Sequence, residues 1–261
     1  MSKAKISACL VIRNEEKVIR RCLDSIKDAV DEIIIVHDGK CDDKTLDICK
    51  EYTKKIFVRD YIGEAEPHRP FSFSMASGEW ILWIDADEFF SEELKGAIRD
   101  MANAKYVNGY LVAYEIPYKN TVLKRIGLGK AYRMCLFRKG SFSMKGIIHE
   151  TPSVNGKIVK VEYLLKHRPL YNPYSYKTFK RKEIKWAYKQ AQQFISNDRA
   201  SYPSFCYIFR GIFLFAFVVL KGIMHGSFLN GIAGLKISFL EGLYNYYVNW
   251  HIFVMKNEKS N

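Results

Sequence analysis

The stretch Ile81-Leu82-Trp83-Ile84-Asp85-Ala86-Asp87-Glu88-Phe89-Phe90 joins a strongly apolar run to three carboxylates within four residues. Residues 81–84 predict a fully buried β-strand, because a short continuous apolar run is typical of a strand covered on both faces. Burying an unpaired carboxylate is costly, so Asp85, Asp87 and Glu88 must lie where the strand leaves the core. We therefore expect a cationic group to meet them there.

The segments before this stretch alternate between strand and helix patterns. Apolar runs at residues 6–12, 33–36 and 56–58 predict strands, and the residues between them show helical spacing of apolar positions. This alternation predicts an α/β fold with a mostly parallel sheet, whose ligands bind outside the carboxyl ends of the strands. Asp38 follows the second predicted strand, so we expect it at the same edge of the sheet as Asp85 and Asp87.

Individual segments also predict a helix cap, a further helix and a further strand. Asn14 precedes an apolar helical pattern and is of a type that caps helices, so we predict that it caps the first helix. Residues 71–76 predict a further helix, and residues 146–150 predict the end of another strand.

Composition and charge limit the class of protein. The chain has 261 residues, 48% of them hydrophobic and 15% aromatic, which is too rich for a disordered chain. Its formal net charge of +13 implies an anionic partner: nucleic acid, a phosphorylated substrate or an acidic membrane face. The six cysteines show no zinc-like spacing, which favours a reducing cytoplasm, and residues 1–5 do not resemble a signal peptide.

The pair Asp85 and Asp87 has two interpretations. Two carboxylates in this spacing can share a divalent cation with phosphate oxygens, since Mg²⁺ takes one or two carboxylates together with substrate phosphates. Alternatively, these acids, with Ser91, Glu92 and Glu93, only cap and charge the start of the next helix. The unusually apolar strand before them favours the metal.

Several segments, in order along the chain, carry a family resemblance. Residues 11–16 (VIRNEE), 35–46 and 76–88 resemble the family 2 glycosyltransferases of the GT-A fold, a Rossmann-like α/β arrangement. The segments GIIHE (146–150) and GSFLNGIAG (226–234) are similar to those of the subgroup that includes lipopolysaccharide core β-glucosyltransferases.

The resemblance implies an inverting, metal-dependent transfer of a hexose from a nucleotide-sugar, a UDP-sugar by the subgroup's default, to a lipid-linked or surface-glycan acceptor. The cofactor would be Mg²⁺ or Mn²⁺. The implied site comprises a catalytic base, Glu150; the metal contacts Asp87, Asp85 and His149, with His167 as an alternative; and the substrate contacts Arg13, Asn14, Glu15, Asp38, Arg69 and Asp85.

The chain also departs from the family pattern. Residues 38–43 keep both end acids but lack the family's small hydroxyl residues, and Asn230 stands where the C-terminal segment usually has an acid. Arg69, in the loop before the apolar strand, is predicted to assist at the leaving group, and the sequence around it is unlike the family's. The donor pocket is therefore expected to be atypical.

The C-terminal part has a different character. Residues 177–189 predict a basic amphipathic helix, and residues 205–254 are mainly apolar and aromatic, with glycines at 222, 226, 231 and 234 expected to break the helices. A spanning helix needs about 20 mainly apolar residues, so helices lying in the membrane interface are favoured over a true span. We predict a catalytic domain at residues 1–170 and a membrane-associating helical extension at residues 171–261.

These patterns together predict an enzyme in the cytoplasm, peripheral on the inner face of the cell membrane, whose partners include an anionic membrane surface but no nucleic acid. Two alternatives stay open. One is a GT-A-shaped module that binds membranes without catalysis. The other is a basic nucleic-acid-binding protein, although no nucleic-acid recognition motif is present.

Overall fold

The computed structural model describes residues 4–118, 121–123, 131–147, 150–172 and 174–258. Contacts divide the chain into two compact units. The first unit comprises Met1–Glu115 and Tyr132–Leu170, and the second comprises Ile116–Ala131 and Tyr171–Asn261. The domain boundary after residue 170 stays a prediction.

The first unit is built on an eight-stranded sheet of order β3-β2-β1-β4-β9-β6-β12-β5. β1 pairs in parallel with both β2 and β4, and β2 pairs in parallel with β3, whereas β9 runs antiparallel to β4. A further antiparallel pair, β10 and β11, lies outside this sheet. The strands are β1 Ile6–Ile12, β2 Glu32–Asp38, β3 Ile56–Arg59, β4 Trp80–Trp83, β5 Glu88–Phe90, β6 Gly109–Tyr114, β9 Ala131–Arg138, β10 Phe142–Ser143, β11 Ser153–Val154 and β12 Ile158–His167.

Four helices connect these strands: α1 Ile19–Ile26, α2 Thr45–Lys50, α3 Arg69–Ser74 and α4 Glu92–Asn103. α1 buries Ile19, Cys22, Leu23 and Ile26, which are the positions that its apolar spacing predicted. They pack in one core with β1 and β4. The predicted α/β fold with a mostly parallel sheet flanked by helices is confirmed, and it brings the carboxyl ends of β1, β2 and β4 to one edge.

Two local predictions in this unit were wrong. Asn14 does not cap α1: the helix begins at Ile19, and Val18 occupies the cap position without a side-chain hydrogen bond. Asn14 instead adopts a left-handed backbone with φ of 51°, a conformation that Asn tolerates better than most residues. Residues 146, 147 and 150 lie in irregular structure rather than at a strand end, and Ile148 and His149 lie outside the described residues.

The second unit is mainly helical. Its strands β7 Ile116–Tyr118 and β8 Thr121–Leu123 pair antiparallel. A continuous helical segment contains α5 Tyr176–Thr178, a π-helical stretch at Phe179–Glu183 and α6 Ile184–Ser196, in agreement with the predicted basic helix. After α7 Cys206–Met224 and a 3₁₀ turn at Ser227–Asn230 comes α8 Gly231–Glu258.

The prediction that glycines break the C-terminal helices was wrong for two of them. Gly222 lies inside α7 and Gly234 inside α8. A Cβ atom at Gly222 would lie 2.1 Å from the Ser238 hydroxyl, so this glycine allows α7 and α8 to pack closely. Gly226, with φ of 79°, does follow the end of α7.

Membrane-crossing potential is limited to one helix among the residues that the structure describes. α7 is long and apolar enough to cross a membrane by length and composition. Its most apolar 18-residue segment has a mean hydropathy of 1.9, and 11% of that segment is buried. Such a single helix is weak evidence for a span.

Candidate active site

Asp38, at the end of β2, forms hydrogen bonds with other residues of the first unit. Its two carboxylate oxygens accept hydrogen bonds from the backbone amides of Ile62 (2.6 Å) and Gly63 (2.8 Å), and His68 Nε2 lies 3.0 Å from Oδ1. Burial would raise the pKa of Asp38, but these hydrogen bonds outweigh it and the pKa lies below its ordinary value. Asp38 is 3% exposed, so its main observed role is to fix the loop after β3.

The loop after β1 carries the three other predicted pocket residues. The Arg13 guanidinium lies over the Tyr61 ring, 3.9 Å from its centroid. Asn14 and Asp42 exchange two hydrogen bonds, of 3.0 and 3.3 Å, and the Glu15 amide donates to the Thr45 hydroxyl at 2.6 Å. These contacts join the loops that follow β1 and β2, as the common edge of the sheet requires.

Asp85, just beyond β4, meets two arginines. Its Oδ2 lies 3.1 Å from Arg133 and its Oδ1 lies 3.7 Å from Arg69. Burial would raise the pKa of Asp85, but Arg133, then Arg69, lowers it below its ordinary value. Both guanidinium groups also lie over the Trp83 ring, at 4.3 and 4.4 Å. The cationic group expected from the sequence is therefore a pair of arginines.

Glu88 is the innermost of the three acids, at 1% exposed. Its carboxylate forms an ion pair with Arg133 and accepts a 2.8 Å hydrogen bond from the Asp85 amide. A buried carboxylate is tolerated only when it is paired, and Arg133 supplies that pair. Glu88 thus positions both the arginine and the backbone of Asp85.

Sequence reasoning missed Arg133. β9 runs antiparallel to β4 with Leu82 opposite Leu136, and continuing this register carries Arg133 to Asp85. The only local signal was a cation at the start of an apolar strand, which does not reveal the pairing partner. Knowledge of the strand order is needed to predict the contact.

Asp87 pairs with His167, at the end of β12. Asp87 Oδ2 lies 3.1 Å from His167 Nε2, and the His167 ring stacks on Tyr114 with centroids 5.3 Å apart. Two neighbouring ligands of an octahedral Mg²⁺ ion, each about 2.1 Å from it, lie about 3 Å apart. The 3.1 Å contact is a hydrogen bond, and once the proton between the two atoms is lost the same spacing fits two adjacent ligands of one divalent cation.

No group of three or more His, Cys, Asp or Glu side chains that could hold a metal occurs in the described part of the chain. Asp87 would thus supply a carboxylate oxygen and His167 an imidazole nitrogen, with phosphate and water oxygens as the other ligands. The carboxylate with phosphate and water oxygens is a usual arrangement for Mg²⁺. Asp85 fits a metal less well because two arginines already neutralise it. His149, the third predicted metal contact, lies outside the described residues.

Glu150 closes a turn next to the segment that carries Arg69. Its Oε2 accepts hydrogen bonds from the amides of Lys145 (2.8 Å) and Ile147 (3.0 Å). Within this turn Gly146 has φ of 77°, and a Cβ there would lie 3.0 Å from the Glu66 carbonyl. The turn is therefore pressed against residues 66–70, and only glycine fits at its centre.

A family comparison decides what this site belongs to. The model of "Glycosyl transferase family 2" matches residues 7–157, which is more than half of the chain and includes the site acids Asp38, Asp85, Asp87, Glu88 and Glu150. The chain belongs to glycosyl transferase family 2.

Curated relatives of this family 2 chain include uncharacterized glycosyltransferases of Rickettsia. That of Rickettsia typhi is 37% identical over 112 residues, covering 43% of this chain and 37% of the relative, and that of Rickettsia bellii is 33% identical over 153 residues, covering 56% and 50%. The SPbeta prophage-derived glycosyltransferase SunS of Bacillus subtilis is 35% identical over 99 residues, covering 37% and 23%. The matched part spans half or less of the length of these relatives.

Solved structures with a similar arrangement share little sequence with this family 2 chain. Glucosyl-3-phosphoglycerate synthase from Mycobacterium tuberculosis has a TM-score of 0.48 at 14% identity, covering 73% of this chain and 79% of that chain. S. aureus TarS 1-349 in complex with UDP has a TM-score of 0.46 at 12% identity, covering 98% and 92%. Identity at this level transfers neither a substrate nor a cofactor to this chain.

Proposed function

We propose that this family 2 chain transfers a hexose from a nucleotide-sugar to an acceptor hydroxyl, with the donor diphosphate over the carboxyl ends of β1, β2 and β4. One observation carries the proposal: Asp87 and His167 lie 3.1 Å apart beside an arginine-bound Asp85. A ligand pair and two cations close together suit a diphosphate leaving group, on which negative charge grows as the sugar departs.

The residues at the leaving group have separate tasks in this proposal. Asp87 and His167 would hold Mg²⁺ or Mn²⁺, and the bound cation would neutralise the diphosphate. Arg69 and Arg133, which pair with Asp85, lie at the same edge, where they could also donate hydrogen bonds to the diphosphate. Asp85, whose side chain is 36% exposed, can still accept a hydrogen bond from a donor ribose hydroxyl.

The donor pocket would use the loops after β1 and β2. Arg13, Asn14 and Glu15 would border the nucleotide, with Asp38 behind them as the residue that fixes the loop at Ile62 and Gly63. A UDP-sugar is the donor that the resemblance to lipopolysaccharide core β-glucosyltransferases favours. The acceptor would be lipid-linked or part of a surface glycan.

Glu150 is the proposed base. An inverting transfer needs a carboxylate that takes the acceptor proton as its oxygen attacks the anomeric carbon. Two backbone amides hold one oxygen of Glu150 and so fix the direction of its side chain. This geometry supports a positioned general base.

The place of action proposed is the inner face of the cell membrane, with the chain bound peripherally. Its second unit carries 16 Lys and Arg against four Asp and Glu, a net charge of +12. An anionic membrane surface attracts such a segment by about 1 kcal/mol per basic residue near the surface. A lipid-linked acceptor would be found on that surface.

The test is release of nucleoside diphosphate from UDP-, GDP- and dTDP-sugars with Mg²⁺ or Mn²⁺, for the native chain and for Asp87→Ala. We expect metal-dependent release from one donor class and its loss in the variant. Should none of these nucleotides bind in a metal-dependent way, the transferase proposal fails and a non-catalytic module is left. Retention on DNA that is stronger than binding to nucleotides would instead support the nucleic-acid alternative.

A further inference from the structure

The surface of α7 has one side that the second unit leaves uncovered. Six large apolar side chains of α7 are each more than half exposed, and they form what is called here the apolar stripe: Phe209, Ile212, Phe213, Phe217, Leu220 and Met224. At about 100° per residue, these positions share an arc of about 140° on the helix. Contiguous apolar surface of this kind marks a binding surface.

The opposite side of α7 is occupied by α8. Gly211 faces Tyr246 and Asn249, Gly222 faces Ser238, and Phe215 packs on Gly242. α8 therefore follows α7 along most of its length. One side of α7 is therefore packed against α8, and the other side exposes the apolar stripe.

Two cations border the stripe. Arg210 and Lys221 are exposed. At the same 100° per residue, their positions around the helix axis lie about 20° and 40° beyond one edge of the apolar stripe. An apolar stripe with cations along its flank is the pattern of a helix that lies at the boundary of headgroups and acyl chains, where long basic side chains reach lipid phosphates.

We propose that α7 lies in the plane of an anionic bilayer, with the apolar stripe among the acyl chains and with Arg210 and Lys221 on lipid phosphates. This deepens the membrane association of the proposed function and does not depend on sugar transfer. The net charge of +12 of the second unit complements such a surface. The same charge opposes a second copy of this chain as the occupant, because two strongly positive units would repel each other.

Helix packing also favours the in-plane orientation over a span. Because α8 follows α7, a crossing by α7 would carry Glu241 of α8, which lies beside the middle of α7, into the hydrocarbon as well. Charged side chains at that depth are costly. An in-plane helix buries only the apolar stripe.

The experiment is cosedimentation of the full chain with phosphatidylcholine vesicles that contain or lack phosphatidylglycerol. We expect binding only when phosphatidylglycerol is present, and release by alkaline carbonate. Phe213→Glu/Phe217→Glu should weaken binding at least about tenfold, because it places charge in the middle of the stripe. Val58→Glu/Tyr106→Glu, which introduces the same charge at two exposed apolar residues of the first unit, is the matched control and should bind normally.

A second variant guards against a folding defect in the first. Arg210→Gln/Lys221→Gln alters only exposed cations and should weaken binding to the anionic vesicles about thirtyfold, with an unchanged circular dichroism spectrum. Vesicle binding that neither variant changes overturns the proposal. Resistance to carbonate extraction overturns it in favour of a span, and a dimer in lipid-free solution that Phe213→Glu/Phe217→Glu dissociates overturns it in favour of a second copy.

Nucleoside diphosphate release from a soluble donor separates the two proposals. The Phe213→Glu/Phe217→Glu variant should keep native release while losing vesicle binding. If the native chain binds vesicles but releases no nucleotide, the transferase proposal fails and the in-plane helix stands.

Discussion

The two compact units differ in how they balance charge. The first carries 25 Lys and Arg against 24 Asp and Glu, whereas the second carries 16 against four. In the first unit, cations such as Arg133 are paired with carboxylates at strand ends. In the second, basic side chains such as Lys180 and Lys185 are exposed on a helix. Charge in the first unit is thus compensated locally, while charge in the second is a surplus that suits an external partner.

The units differ in their apolar surface in the same way. In the first, β1 and β4 are almost completely buried between layers of helices. In the second, α7 exposes six large apolar side chains along one face. This difference agrees with the two proposals, in which the first unit carries the chemistry at its sheet edge and the second binds a membrane surface. The following predictions test that division.

The largest effect is expected at Asp87 and His167, the proposed metal ligands of the first unit. Asp87→Asn keeps the size of the side chain but removes its charge, so nucleoside diphosphate release should fall about a thousandfold while vesicle binding stays native. Steady-state rates against Mg²⁺ or Mn²⁺ concentration measure it. Asp47→Asn, on an exposed face of α2, is the control, and a loss under tenfold with unchanged metal dependence would refute this role for Asp87.

Removal of the proposed base should have the next largest effect. In Glu150→Gln the side-chain oxygen can still accept hydrogen bonds from the amides of Lys145 and Ile147. The amide group cannot take a proton from the acceptor, so sugar transfer should fall about a hundredfold. Donor affinity, measured by calorimetry with the nucleoside diphosphate, should stay unchanged. The control is Glu79→Gln, which is exposed. Native transfer by Glu150→Gln would assign the base to another residue.

The buried charges of the first unit predict a pH-dependent stability. Burial would raise the pKa of Glu32, but hydrogen bonds from Lys55, Ser7 and Ser77 lower it to about 2. Since the folded pKa is depressed, the stabilisation is full above the unfolded pKa and is lost as pH falls from about 5 towards 2, by about 2–3 kcal/mol. Urea unfolding at several pH values should show a shallower loss in Glu32→Gln than in the native chain. Equal slopes in the two proteins would contradict the prediction.

The smallest effect is expected when two surface lysines are replaced. This change tests most directly whether the two units differ in their attraction to an anionic membrane. Lys180→Gln/Lys185→Gln in the second unit should weaken binding to anionic vesicles about thirtyfold, because each exposed lysine adds about 1 kcal/mol at such a surface and the pair about 2 kcal/mol. Lys54→Gln/Lys105→Gln removes the same charge from the first unit and should leave binding unchanged. If both variants lose affinity equally, the net charge of the whole chain and not the second unit attracts the membrane.

The layers of the first unit could be predicted from the sequence alone. Alternating apolar runs and helical spacings sufficed for β1 to β4 and for α1, because both periods are local properties of the chain. The position of Asp38 and Asp85 at one edge then followed, since parallel strands end on the same side. Local signals failed where context overrode them: Asn14 binds Asp42 instead of capping α1, and Gly222 and Gly234 pack against polar neighbours within helices.

The pairing of charged side chains, in contrast, depends on the three-dimensional arrangement of the strands. Arg133 reaches Asp85 and Glu88 through the antiparallel register of β9 on β4, and His167 reaches Asp87 through the pairing of β12 with β5. The tertiary structure also showed that Asp38 is already occupied by the loop at Ile62 and Gly63. These contacts join residues 24 to 80 positions apart. Strand order and register set such long-range pairs, and no local period of the sequence encodes them.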